Sequence, residues 1–164
     1  MKNGVIFELS VLAMAALLFP SAAVAECYDP PGAFVQWAKC KFARKNFEGA
    51  NLKGAILTDA VFHHAKLKGV NLEDADIRNV NLRFADLSGS NLKNTRLTKA
   101  FLDDANLSGA DLSGADMEGA SLERANLTGA KLEKTNLAAV RMTDAIWIDG
   151  KTTCKGGSVG RCIQ

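Results

Sequence analysis

Between Trp37 and Trp147 a large apolar residue returns at every fifth position, 23 times without a break, always as Leu, Phe, Ile, Met or Trp. Two places before each of these centres stands Ala, Ser, Thr, Val or Cys in 22 of the 23 fives, with Lys45 as the exception. The remaining positions are mostly polar. A period of five fits neither the 3.6 of a helix nor the 2 of a strand. Self-similarity at a fixed period instead predicts a solenoid, in which each unit buries its apolar residues against its neighbours.

The fives read Ala-Asn-Leu-Lys-Gly at 50–54, Ala-Asp-Leu-Ser-Gly at 85–89 and Ala-Asn-Leu-Thr-Gly at 125–129. This A-[DN]-L-x-x pattern resembles the pentapeptide-repeat family from about Val35 to Asp149. The resemblance implies an all-β fold, a right-handed quadrilateral β-helix of about six coils. Four fives would make one square coil, with the centre and the small residue pointing inward. The expected division is a signal at 1–25, an N-terminal cap at 26–34, the β-helix at 35–149 and a C-terminal cap at 150–164.

In that register, residues twenty apart stack in columns. Face 1 holds Phe42, Phe62, Leu82, Leu102, Leu122 and Met142 inside; face 2 begins at Phe47, face 3 at Leu52 and face 4 at Trp37. One corner column is all glycine: Gly49, Gly69, Gly89, Gly109 and Gly129. Type II turns, which need positive φ at their third residue, are expected there. Other turn types are expected where Asp, Asn, Arg or Lys replaces Gly.

Residues 1–25 read as a secretory signal: Lys2, an apolar run from Val11 to Phe19, and an Ala23-Val24-Ala25 cleavage site, with Glu8 an atypical feature. The run is too short for a span of ~20 residues. Glu26, not a small residue, precedes Cys27, so lipidation is not expected. The mature chain is then expected to be periplasmic or secreted. Four cysteines in a short exported chain suggest disulfides. The solenoid, ~28 Å long at ~4.8 Å per coil, keeps its ends apart and favours Cys27–Cys40 and Cys154–Cys162. Cys40 occupies an inward small position, so a buried free thiol is the alternative for the first pair. Some secreted members of the family carry a similar ending to Trp147-Ile148-Asp149-Gly150 and Cys154 to Cys162. Each cap would shield the apolar residues and unpaired backbone at one end of the rod.

Face 1 departs most from the repeat. Val61, Phe84 and Phe101 point outward beside His63, His64, Arg83, Asp103 and Asp104, which makes these eight residues a candidate binding patch. The two histidines lack a third ligand, so no metal site is expected. Asp103 and Asp104 are adjacent at a turn, with Arg83 and Arg124 one coil away, which suggests a charge ladder rather than a catalytic pair. No nucleophile–base pair or phosphate loop is present, and a convex rod lacks a deep cleft, so neither an enzyme nor a cofactor is expected.

The net charge is +2. It divides unevenly, at +4 over 35–94 (ten basic, six acidic), −3 over 95–149 (six basic, nine acidic), −2 in the N-terminal cap and +3 in the C-terminal cap. Such polarity suits head-to-tail contact or a homodimer through a rod end. The family's gyrase-binding DNA mimics are acidic rods; this chain lacks that charge and carries an export signal, so gyrase and nucleic acid are not the expected partners. The expectation is an exported binding scaffold for a protein or cell-envelope partner. A structural envelope or secreted factor without a discrete partner is the alternative.

Overall fold

The computed structural model describes Cys27–Gln164; the signal segment and Glu26 lie outside the described residues. Every parallel bridge joins residues twenty apart, from Gln36 with Ile56 to Asn126 with Ile146. The chain is therefore a right-handed quadrilateral β-helix, just under six coils long, with no helix among the described residues.

Each five contributes one side of the square. The residue before the centre donates its N–H down to the coil below, as Asn71 does to Ala50 O at 2.9 Å. The centre and the corner residue donate up, as Leu72 does to Asn91 O at 2.8 Å and Asp74 to Lys93 O at 3.0 Å. A third bond closes the corner: Ala75 N–H donates to Leu72 O at 3.0 Å. The side chain before the centre adds a fourth. Asn71 Oδ1 accepts the N–H of Glu73 at 3.1 Å, and Asp111 Oδ1 that of Ser113 at 3.1 Å. This local cap is what Asn and Asp contribute to the repeat. The amides also stack between coils, Asn91 donating to Asn71 at 3.2 Å and Asn71 to Asn51 at 3.3 Å.

The corners correct the sequence expectation. Positive φ recurs at all of them from Lys39 to Asp144, whether or not the residue is glycine, and non-glycine corners lie between 54° and 63°. Backbone bonds to the adjacent coils hold the same geometry all round the square, so a substituted corner is strained rather than rebuilt. For most side chains a left-handed conformation costs roughly 1–2 kcal/mol, and Asn, Asp and His tolerate it best. At the last corner the rule breaks: positive φ moves to Gly150, and the chain leaves the helix.

Inside, the centres and small residues form one continuous core from Trp37 to Met142. Four aromatic rings fill its N-terminal end. Trp37 lies 4.6 Å from Phe42 and 5.6 Å from Phe47, and Phe42 lies 5.1 Å from Phe62. Both disulfides form, with Cα separations of 5.5 Å for Cys27–Cys40 and 4.9 Å for Cys154–Cys162. The segment Tyr28–Phe34 is tethered rather than buried: Tyr28 and Phe34 are exposed, and the rings behind them close the core. Phe34 instead lies beside Gly54, where a Cβ would come within 2.5 Å of its ring.

At the other end the chain turns back antiparallel along faces 1 and 2, pairing Ile146 with Thr153 and Arg141 with Val159. Asp149 sets this reversal. Its carboxylate accepts from the Thr152 hydroxyl at 2.6 Å and from the N–H groups of Thr152 and Lys151 at 2.8 and 2.9 Å. These bonds, the Thr152 hydroxyl first, lower its pKa to about 2.

The corner strain is measurable. Gly89 has open space around it but φ of +64°, so Gly89→Ala is expected to lower unfolding stability by about 1 kcal/mol from backbone strain alone. Ala139 has φ of 56°, and Ala139→Gly is expected to raise stability by a few tenths to about 1 kcal/mol, the strain relief offset in part by chain entropy. Urea unfolding of both variants checks the pair; equal and opposite small shifts are not required, but the signs are.

Candidate functional site

The corner between faces 1 and 2 carries Arg44, His64, Phe84, Asp104, Arg124 and Asp144, the one corner column with no glycine. The next corner demands the same left-handed backbone and is glycine from Gly49 to Gly129. Phe84, held at φ of 59°, is exposed and stacks on the His64 ring at 4.8 Å with a 19° interplanar angle. His63 lies edge-on to both, 4.1 Å from His64 and 5.4 Å from Phe84. Its Nδ1 is shielded and has no hydrogen-bond partner among the described residues. Loss of surrounding water first, then the neighbouring His63 and Arg44 charges, lowers the pKa of His64.

One coil above, Arg83 links two groups. Its guanidinium lies 4.6 Å from the centre of the exposed Phe101 ring, a cation–π contact, and its Nε–H donates to Asp103 Oδ2 at 2.8 Å. Asp103 is buried and also accepts the Ser121 hydroxyl. Asp104 instead faces Arg124, which donates from Nε and Nη2 at 2.8 and 2.7 Å; that bidentate contact lowers the Asp104 pKa. The two neighbouring carboxylates therefore serve different arginines and do not face a shared substrate position. Arg141 continues the ladder to Glu123 at 3.5 Å.

The eight residues named from the sequence are not one uniform cluster. His63, His64 and Phe84 form a ring stack; Arg83, Phe101 and Asp103 form an ordered polar unit beside it; Asp104 belongs to the ion pair above. Val61 is half-buried in the same face, and its backbone bridges Lys41 and Asn81 rather than the stack. Ser121 was not among the eight. It follows Phe101 in its column and lies next in sequence to a core centre, and only the burial of its hydroxyl against Asp103 reveals its part.

Below and beside the stack, Lys41, Arg44, Lys45 and Lys66 form no salt bridge among the described residues, whereas Asp103, Asp104 and Glu123 above it pair with Arg83, Arg124 and Arg141. The patch is thus basic and aromatic toward the N-terminal end and balanced toward the C-terminal end. Among the described residues no three His, Cys, Asp or Glu side chains converge as metal ligands, and no helix is long and apolar enough to cross a membrane.

Comparison with known proteins agrees with this architecture. The Pentapeptide repeats family matches in eight copies, over residues 38–60, 46–83, 55–94, 75–114, 85–124 and 105–144. Among solved structures, the pentapeptide repeat protein Rfr23 of the cyanobacterium Cyanothece 51142 is 26% identical with a TM-score of 0.53, covering 70% of this chain and 89% of its own. A pentapeptide repeat protein from the Arabidopsis thaliana thylakoid lumen is 32% identical with a TM-score of 0.47, covering 66% and 70%. QnrB1, a plasmid-mediated fluoroquinolone resistance protein, is 19% identical with a TM-score of 0.41, covering 69% and 70%. No curated protein matches the sequence significantly.

Because His64 resists protonation, the stack keeps a neutral imidazole to a lower pH than an ordinary histidine. The sign follows: the unfolded chain takes the proton first as pH falls below about 6.5, so acidification through that window disfavours the stacked state. A histidine titration followed by NMR is expected to show His64 below the usual midpoint. Phe84→Ser, which returns water to the ring, and Arg44→Ala should each move it upward.

Proposed function

The chain belongs to the pentapeptide-repeat family, and from that membership we propose that it is an exported, non-enzymatic scaffold whose first face holds a protein or cell-envelope partner. The observation that carries this reading is the corner column from Arg44 to Asp144. A glycine would meet the backbone demand there without strain, as it does one corner along. Phe84 occupies that position instead, exposed and aligned on His64. Strain retained at a solvent-facing aromatic is a mark of surface recognition rather than of packing.

The chemistry of the patch narrows the partner. Exposed Phe84 and Phe101 supply apolar contact, and Arg83 is pre-positioned by Asp103. Lys41, Arg44 and Lys66, without carboxylate partners among the described residues, favour an anionic surface. The same unpaired cations disfavour mimicry of a nucleic-acid duplex, which needs dense negative charge. Two disulfides in so short a chain support an oxidising compartment, periplasmic or extracellular.

The test is capture from envelope and periplasmic extracts on immobilised mature protein. A discrete partner retained by wild type is expected to be lost, or weakened at least about tenfold, by Phe84→Ser and by Phe101→Ser, and weakened by added salt. If both variants retain every captured protein at wild-type strength, this face is not the binding surface.

A further inference from the structure

The C-terminal cap covers only half of the rim on which it rests. On faces 1 and 2 it lies antiparallel to the last coil: Met142 N–H donates to Ser158 O at 3.0 Å, Asp144 N–H to Cys154 O at 2.8 Å, and Gly160 N–H to Val140 O at 2.8 Å. Beyond Gly160 the chain turns off the rim. Cys162 is bonded back to Cys154, and Ile163 O accepts the N–H of Lys155 at 2.9 Å. Gly160 itself lies against Leu137 O and Ala139 N at the end of face 4; past it, faces 3 and 4 receive no strand among the described residues.

The consequence is an open backbone edge. One coil down, the upward N–H groups of Leu112, Gly114, Met117 and Gly119 donate to Lys131, Glu133, Asn136 and Ala138 at 2.9 to 3.0 Å. In the last coil their counterparts on Leu132, Lys134, Leu137 and Ala139 meet no acceptor among the described residues. The carbonyls of Ala130 and Thr135 likewise receive no donor, although Ala110 and Ala115 below them accept from Lys131 and Asn136 at 2.9 Å. The side chains follow suit: Leu112 and Met117 are fully buried, whereas Leu132 and Leu137 are half-exposed.

We propose that this ledge is a strand-addition site for an extended, acidic segment of another polypeptide. The segment would run antiparallel, taking up the line where Gly160 leaves it beside Ala139 and passing along Leu137 and Lys134 toward Leu132. Backbone groups on the ledge supply the pairing, and the half-exposed leucines supply contact for alternate side chains. The cap already shows that this rim accepts an antiparallel strand, and the ledge continues that interface. Charge selects the occupant. On the ledge Lys131, paired with Asp111, and Lys134, with no salt bridge among the described residues, outnumber the single acid Glu133, and the cap carries Lys151, Lys155 and Arg161 with no acidic side chain. Two copies meeting ledge to ledge would bring these like charges together. A copy stacking end to end would meet the cap standing on faces 1 and 2.

Hydrogen exchange on the mature, oxidised protein tests this, with an acetylated and amidated probe peptide, Asp-Val-Thr-Val-Thr-Val-Thr-Val-Asp. Saturating peptide is expected to slow exchange at Leu132, Lys134 and Leu137 by about tenfold or more, with face 1 unchanged. Lys134→Glu, a substitution at an exposed corner that leaves the core untouched, is expected to weaken binding about fivefold, and a lysine-flanked peptide should bind more weakly still. Three results overturn the proposal: no protection, protection elsewhere than the ledge, or ledge amides already slow without peptide in a rod that sediments as a dimer. Loss of capture by the Phe84→Ser variant would leave this result untouched, so the two sites fail separately.

Discussion

The left-handed residue at every corner is the constraint on which the rest of this structure depends. A square coil of twenty residues must turn four times, and each turn requires positive φ at its third residue. The adjacent coils fix that geometry from both sides, because the corner N–H donates upward while the residue two places on donates downward. No corner can relax without breaking bonds to its neighbours. The core then follows from the turns. With corners identical, every centre falls above the centre twenty residues earlier, and Leu can fill column after column with no change of packing.

That uniformity also defines where function can reside. The inward positions are occupied by the requirements of the stack, and most outward ones by Asn and Asp that cap the turn or by ion pairs between coils. Arg124 with Asp104 and Lys53 with Glu73 at 2.9 Å are exposed pairs of this kind; each adds little stability by itself. Face 1 differs because its outward residues do not repeat. Phe84 stacks on His64 at a corner where the backbone would be better served by glycine, and Arg83 lies over Phe101 beside it.

Much of this was legible in the sequence, and the reasons are specific. The five-residue period reads directly into the register, so the inward columns and the outward position of Phe84 and Phe101 follow from counting. The two disulfides were legible as pairs because the solenoid keeps its ends apart, although whether Cys40 bridges or stays a buried thiol depended on where Cys27 reaches. What did not read through was anything set by contacts between coils. Asp and Lys at a corner suggest a different turn locally; only the neighbouring coils force them into the conformation of glycine. The part played by Ser121 depends on Asp103 being buried against it, eighteen residues away and one coil over. The exposure of Tyr28 and Phe34 depends on four other rings having filled the end of the core.

The two ends of the rod show why its periodicity has to fail somewhere. A solenoid satisfies every coil except the first and last, and no choice of repeat residue can repair that. At the N-terminus the repair is made from inside, by Trp37, Phe42, Phe47 and Phe62 packing across the opening. At the C-terminus it is made from outside, by a returning strand fixed through Asp149 and the Cys154–Cys162 bridge. An internal plug needs only bulk to fill the cross-section, but it leaves the N–H groups of Lys41, Asn46 and Asn51 without acceptors among the described residues. A returning strand covers only the sides it runs along, and Thr152 to Gly160 run along two of the four. The open ledge on faces 3 and 4 begins where the cap leaves the rim beside Ala139. It presents the kind of unpaired edge that β-proteins otherwise charge, twist or cover, with Lys134 the charge that guards it.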